Sequence, residues 1–341
     1  MKENKKIILE NNSSNTKIFF RLYLLWIKSF IFSPLNVFLG VILIIFTQFI
    51  WLAFKGSDPF IFASAIGSLI VRNSCHTFYR TINMSRITGF TSRITYTKAN
   101  NYLSPLSHLA ASFTINFIVS LIMLGLTVIF FKEQRTLLSN VNWFMFVSGS
   151  ILLWLLSILM CYTVYIYYKN YTLGNIVVII IYMFCYNFLG LAFPYQSIAK
   201  LEWLNILLYL LPQRYMMNVM QAGWVNATSL VYSSPNFPSS SVDFKLTNYL
   251  WLPYLVTFLF IFLFFIINLT HLMNRNKQFK KDGYGSSVIA KLSNKYIRDI
   301  KRCSNIDELN ELRINHLNET GHFDLIRNNV QKSKIRKQEK K

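Results

Sequence analysis

Arg72, His76 and Arg80 stand at i, i+4 and i+8, so three basic side chains share one face of a helix. Beside an apolar run, such a face suits a water-lined path; its plain alternative is a helix end leaving the bilayer among headgroups. Other chemistry is harder to assemble from these residue types. His108, His271, His316 and His322 are scattered and form no ligand cluster. Cys75, Cys161, Cys185 and Cys303 lack CxxC spacing and read as free thiols. A GxxxxGK motif followed by Ser or Thr is absent, as are HExxH and GxSxG, and Gly283 and Gly285 in KDGYGSS lack both the P-loop spacing and its lysine. The chain is therefore not expected to be an enzyme, nor to hold a metal or cofactor of its own.

Composition gives the setting for these residues. Apolar types make up 53% and charged types 14%, against roughly a quarter charged in a typical globular protein. Several runs approach the roughly 20 uncharged residues that cross a hydrocarbon core. An all-α integral membrane protein follows, with six transmembrane helices over residues 35–54, from 59, 110–131, 143–168, 174–194 and 250–269. The second meets Arg72 only 13 residues after Pro59, a rise of about 20 Å. Residues 16–32 carry Lys17, Arg21 and Lys28 as a narrow basic stripe on an apolar helix, which suits an interfacial position before the break at Pro34. Residues 1–15 are polar and expected to be disordered.

Of the 35 Lys and Arg, 29 fall on one side of such a six-span arrangement and 6 on the other, which puts both termini in the cytoplasm. The tail, residues 273–341, carries 17 of the 35 Lys and Arg; helical spacing recurs there over 287–302 and 304–317, and Ser304 with Asp307 resembles a capping box. That tail carries no aromatic-interleaved nucleic-acid surface and suits anionic membrane lipid instead. Abundant Asn, Ile, Lys and Phe fits an AT-rich bacterial genome, hence a multi-pass protein of a bacterial plasma membrane.

The stretch 190–224, GLAFPYQSIAKLEWLNILLYLLPQRYMMNVMQAGW, interrupts the pattern of spans and loops. An apolar run ends at Phe193 and Pro194, and a second, too short to cross, is broken at Pro212. Non-helical backbone at membrane depth is tolerated only where protein or a water-lined cavity satisfies it, which favours a re-entrant hairpin forming a gate. An ordinary loop carrying an interfacial helix is the alternative.

Gly190, Phe193, Pro194, Trp203, Leu211, Pro212 and Tyr215 together resemble the fifth span and following hairpin of ABC-2-type permeases, the membrane subunits of ATP-binding-cassette exporters. The connection between spans two and three resembles the cytoplasmic loop of that family as well, with Arg86, Gly89, Ile94 and Thr97 in register. Ser85 and Ser92 stand where the family has Glu, and Lys98 where it has Pro. The resemblance covers roughly residues 17–272. It implies that Arg86, Gly89, Thr91, Arg93, Ile94 and Thr97 lie on an ATPase-coupling loop. It also implies that Gly190, Phe193, Pro194, Trp203, Pro212 and Tyr215 form an outer gate, and that spans two and five line a path touching Arg72, His76, Tyr182, Asn187 and Phe188. A separate cytosolic ATPase would bind ATP and Mg, and the permease would pair with a second copy or a related chain. The absence of Asp, Glu, Lys and Arg from spans one and three to six agrees, because ion-coupled transporters keep ionisable groups at that depth. A non-transporting scaffold that recruits a cytosolic partner through its basic tail is the competing function.

Overall fold

The computed structural model describes residues 2–54, 58–90, 94, 102–168, 170–194, 197–198, 200–233, 241–281, 299–300, 303 and 305–319. The chain divides into two compact units, residues 1–94 with 99–276, and 95–98 with 277–341. In the second unit, helix Ile306–Glu319 starts with Asp307 and Glu308 in its first turn, where carboxylates favour the helix dipole. It begins after Asn305, one residue later than a Ser304 cap implies.

The first unit is an all-α membrane domain. Helix α1 is Lys2–Ile31, and α2 is Pro34–Phe54, with a π turn at Phe38–Ile42. Helix α3 runs unbroken over residues 61–87 as Ile61–Arg72, a π turn Asn73–Thr77, and Phe78–Ile87. Then come α4 (Leu103–Phe130), α5 (Trp143–Tyr167) and α6 (Tyr171–Phe188). Two short helices follow, α7 (Glu202–Leu208) and α8 (Gln213–Trp224), and a long last one, α9 (Trp251–Lys281). By length and composition five of these can cross a membrane: α2, α4, α5, α6 and residues Trp251–Asn274 of α9. The protein is thus a multi-pass membrane protein. Helix α3, expected as the second span, is long enough but too polar to be counted with the five.

Burial inverts the usual pattern. Every residue from Ile61 to Arg72 is buried, whereas α2, α4, α6 and α9 expose much of their apolar surface, as helices facing lipid do. Helix α3 is therefore the axis of the unit, and α4, α5, α6 and α8 pack around it. Lipid offers no hydrophobic drive between helices, so close packing at small residues and interhelical hydrogen bonds must hold them. Both are present. A Cβ on Gly67 of α3 would meet Met217 Sδ of α8 at 2.8 Å, and one on Gly149 of α5 would meet Met220 Cγ at 2.8 Å. Met side chains thus fill the gaps that two glycines leave.

Polar pins join the outer helices pairwise. Asn73 donates to Gly40 O (3.2 Å), Trp51 Nε1 to Tyr186 OH (3.1 Å), and Gln48 Nε2 to Thr127 Oγ1, tying α2 to α3, α6 and α4. Ser148 with Tyr254 OH (2.6 Å) and Thr163 with Asn268 Oδ1 (3.1 Å) fasten α9 to α5. Helix α1 lies against α4: Trp26 and Phe30 are buried, while Lys17, Arg21 and Lys28 stay exposed as the stripe requires. The His108 ring is sandwiched between Trp26 and Phe78, with both centroids 4.2 Å away, so one stack fastens α1, α4 and α3.

The apolar run of the fifth span overstates its helix. Helix α6 stops at Phe188, because Gly190 takes φ +102° and the chain folds back with Ala192 N–H bonded to Tyr186 O at 3.1 Å. The polar connection after α8 contains a two-stranded antiparallel piece, Val231–Tyr232 with Val242–Asp243, in register Val231 to Asp243. Sequence patterning gave no sign of those two-residue strands.

Candidate functional site

Helix α8 is the most unusual element. Pro212 supplies its N-cap, methionine favours its interior, and Asn226 with φ +56° follows its end. Twelve residues rise about 18 Å, too short to cross a bilayer. Arg214, Asn218 and Gln221 fall at i, i+4 and i+7, one polar seam on a methionine-rich helix. All three have no exposure, enclosed between α3, α5 and their surroundings.

Each end of the seam is tied down. The Arg214 guanidinium donates to Asn205 O, to Asn205 Oδ1 (3.2 Å) and to Phe244 O (3.4 Å), and lies over the Tyr209 ring at 4.1 Å. Its Nε has no partner, and every acceptor it meets is neutral. One cation thus holds α7, α8 and the strand-bearing connection together through carbonyl dipoles and a ring face. Farther along, Gln221 Nε2 donates to Ser64 Oγ (2.8 Å) and to Leu189 O (2.6 Å), joining α8 to α3 and to the end of α6. Trp224 Nε1 donates to Gln134 Oε1 (3.2 Å), and Gln134 to Asp58 O (3.1 Å), whose carboxylate accepts from Phe60 N (3.0 Å) at the start of α3. The seam carries no nucleophile beside a base; chemically it is a polar lock closed off from its surroundings.

Among the residues expected to form a gate, Pro212 and Tyr215 lie at this lock, with Tyr215 OH donating to Tyr209 O (3.2 Å). Gly190 makes the turn that ends α6, and Pro194 O receives Ser197 N–H (3.0 Å). Phe193 and Trp203 point outward instead, 52% and 66% exposed. Arg214, Asn205 and Gln221, the groups that do the holding, are not singled out by the sequence reading. The signal for Arg214 and Gln221 was the seam spacing; for Asn205 there was none.

On the basic ladder, Arg72 is buried with its guanidinium 5.3 Å from the Tyr182 ring, while His76 and Arg80 are half-buried. The structure thus brings Arg72 and Tyr182 together. Asn187 bonds back to Met183 O on its own helix (2.8 Å), and Phe188 packs on Phe184 and Phe193.

At the other end of α3, Arg86 Nη2 donates to Tyr165 O (3.0 Å), and the guanidinium sits 3.7 Å over the Tyr165 ring. A cation there also meets the negative end of the α5 dipole. Gly89, φ +71°, closes α3 with its N–H on Arg86 O (3.2 Å). Ile94 is half-buried, and Thr91, Arg93 and Thr97 lie outside the described residues.

Comparison with protein-family models, with curated proteins and with solved structures finds no match to this chain.

Proposed function

We propose that this chain is the permease subunit of an ATP-binding-cassette exporter, resembling the ABC-2 type, in a bacterial plasma membrane with both termini cytoplasmic. The observation that carries the reading is α8, a helix too short to cross, with a fully buried polar seam, set against α3 and α5. In this reading α7 and α8 form a re-entrant hairpin that seals the outer mouth of a path, and Arg214 and Gln221 are the bonds that hold it shut. Helix α3 is the second of six spans, its polar half facing the cytoplasm.

Energy supply supports the same reading. None of the five apolar helices carries an Asp, Glu, Lys or Arg on which a coupling proton or sodium ion could bind. Force would enter instead from a cytosolic ATPase docked on residues 86–97, next to Arg86. Because Arg86 and Tyr165 bridge α3 and α5, and both helices pack on α8, a push at that loop would reach the lock through two rigid rods.

The test is purification of the full chain in mild detergent with identification of any co-purifying ATPase. Ile94→Asp with Thr97→Asp should abolish recovery of that ATPase while the permease elutes as before. Equal recovery with and without the two changes overturns the docking assignment. The scaffold alternative makes the opposite demand, since there the partner is lost when residues 277–341 are removed.

A further inference from the structure

Helices α4 and α5 diverge along part of their length and leave a cleft of about 170 Å³ floored by Ile66 and Ile70 of α3. Phe117, Leu121, Val147 and Ile151 line it and are each more than 40% exposed, so its mouth opens sideways onto the lipid-facing surface. The volume is near that of an apolar cavity of about 150 Å³ that takes up benzene. No charged side chain lines it.

One polar group on the cleft is not satisfied. Asn116, 4% exposed, uses its amide N–H₂ on Ser112 O (3.0 Å) and Ser74 Oγ (3.5 Å), but its Oδ1 accepts nothing. An unmet acceptor in apolar surroundings is unfavourable unless a donor arrives. Asn116 also borders a smaller cavity of about 30 Å³ with Asn73, Thr77 and His108, where a water is the competing donor.

We propose that the cleft is a binding site, entered from the bilayer, for an uncharged amphiphile with a hydrocarbon body and one hydroxyl or amide N–H donating to Asn116 Oδ1. The apolar walls take the hydrocarbon, the lateral mouth admits it from lipid, and the lack of any charged wall residue disfavours an ionic headgroup. This rests on the chain being embedded in a bilayer and not on the exporter reading.

Trp143 and Trp154 both line the cleft, 11 residues apart on α5, about 16 Å. An ω-bromo fatty alcohol whose hydroxyl reaches Asn116 therefore carries its bromine toward Trp143, where it quenches fluorescence. The full chain in nanodiscs is titrated with that alcohol and with the bromoalkane of the same length. The alcohol should quench saturably, with a half-point about three- to tenfold lower than the alkane's, the ratio one hydrogen bond gives. Asn116→Leu should bring the two half-points together. Ser150→Phe, which fills the cleft and leaves Asn116 in place, should abolish the saturable part for both. Equal half-points with the native residue overturn the proposal by assigning Oδ1 to water from behind. Saturable quenching that survives Ser150→Phe overturns it by moving the site elsewhere.

Discussion

At Arg214 a permanent charge has no exposure and meets only neutral acceptors. Losing its fork removes three hydrogen bonds from a charged donor, and one hydrogen bond to a charged group is worth about 1.5–3 kcal/mol. Arg214→Ala is expected to lower stability by about 3 kcal/mol, and Arg214→Lys by less, since an ammonium keeps the charge but not the planar fork. Thermal unfolding in detergent, read by tryptophan fluorescence, measures both. An alanine variant as stable as the native chain would mean that the cation's desolvation already cancels its bonds. This residue also marks where sequence reading stops. The spacing of Arg214, Asn218 and Gln221 is legible in one dimension, but apolar flanks made the segment read as a gate of turns and prolines. Pro212 and Tyr215 were found that way; the acceptors of Arg214 at Asn205 and Phe244, 9 and 30 residues from it, are contacts that only folding creates.

Among the described elements, α5 and α8 share the most extensive contact. A Cβ on Gly223 would come within 2.8 Å of Met145 Cβ and 2.9 Å of Phe146 N, and Asn142 N–H already bonds Gly223 O at 2.8 Å. Backbone cannot swing aside as a methionine tip can. Gly223→Ala is therefore expected to destabilise by about 1–3 kcal/mol, whereas Gly125→Ala on α4, with nothing within 4 Å, should be neutral or slightly stabilising. Parallel melting curves of the two variants decide it, and equal midpoints would contradict the packing described. The extents of α2 and α5 were readable to within one residue because apolar length alone fixes them, whereas α4 starts at Leu103, ahead of the apolar run expected from residue 110. The enclosure of α3 was not, since Arg72, Asn73 and His76 read as a helix leaving the bilayer. Ser64 and Gly67, which allow Gln221 and Met217 so near, are small residues whose role depends on a neighbour far along the chain. The π turn at Asn73–Thr77 likewise leaves no mark in the pattern of residue types.

For the molecule as a whole, the division after residue 276 predicts that the membrane unit stands without the tail. A chain ending at Asn276 should melt within about 1 °C of the full chain, because the polar pins described above all lie at or before Asn268. A large drop would show that the basic segment braces the helices. Full enclosure of residues 61–72 also bears on how two copies could meet. A twin approaching laterally meets the ribs of α2, α4, α5, α6 or α9 before the buried stretch 61–72. Any channel shared across such a seam would thus be papered with tyrosine, isoleucine and phenylalanine from the ribs, and the arginine at its heart would stay out of the cargo's reach until the cage itself parted.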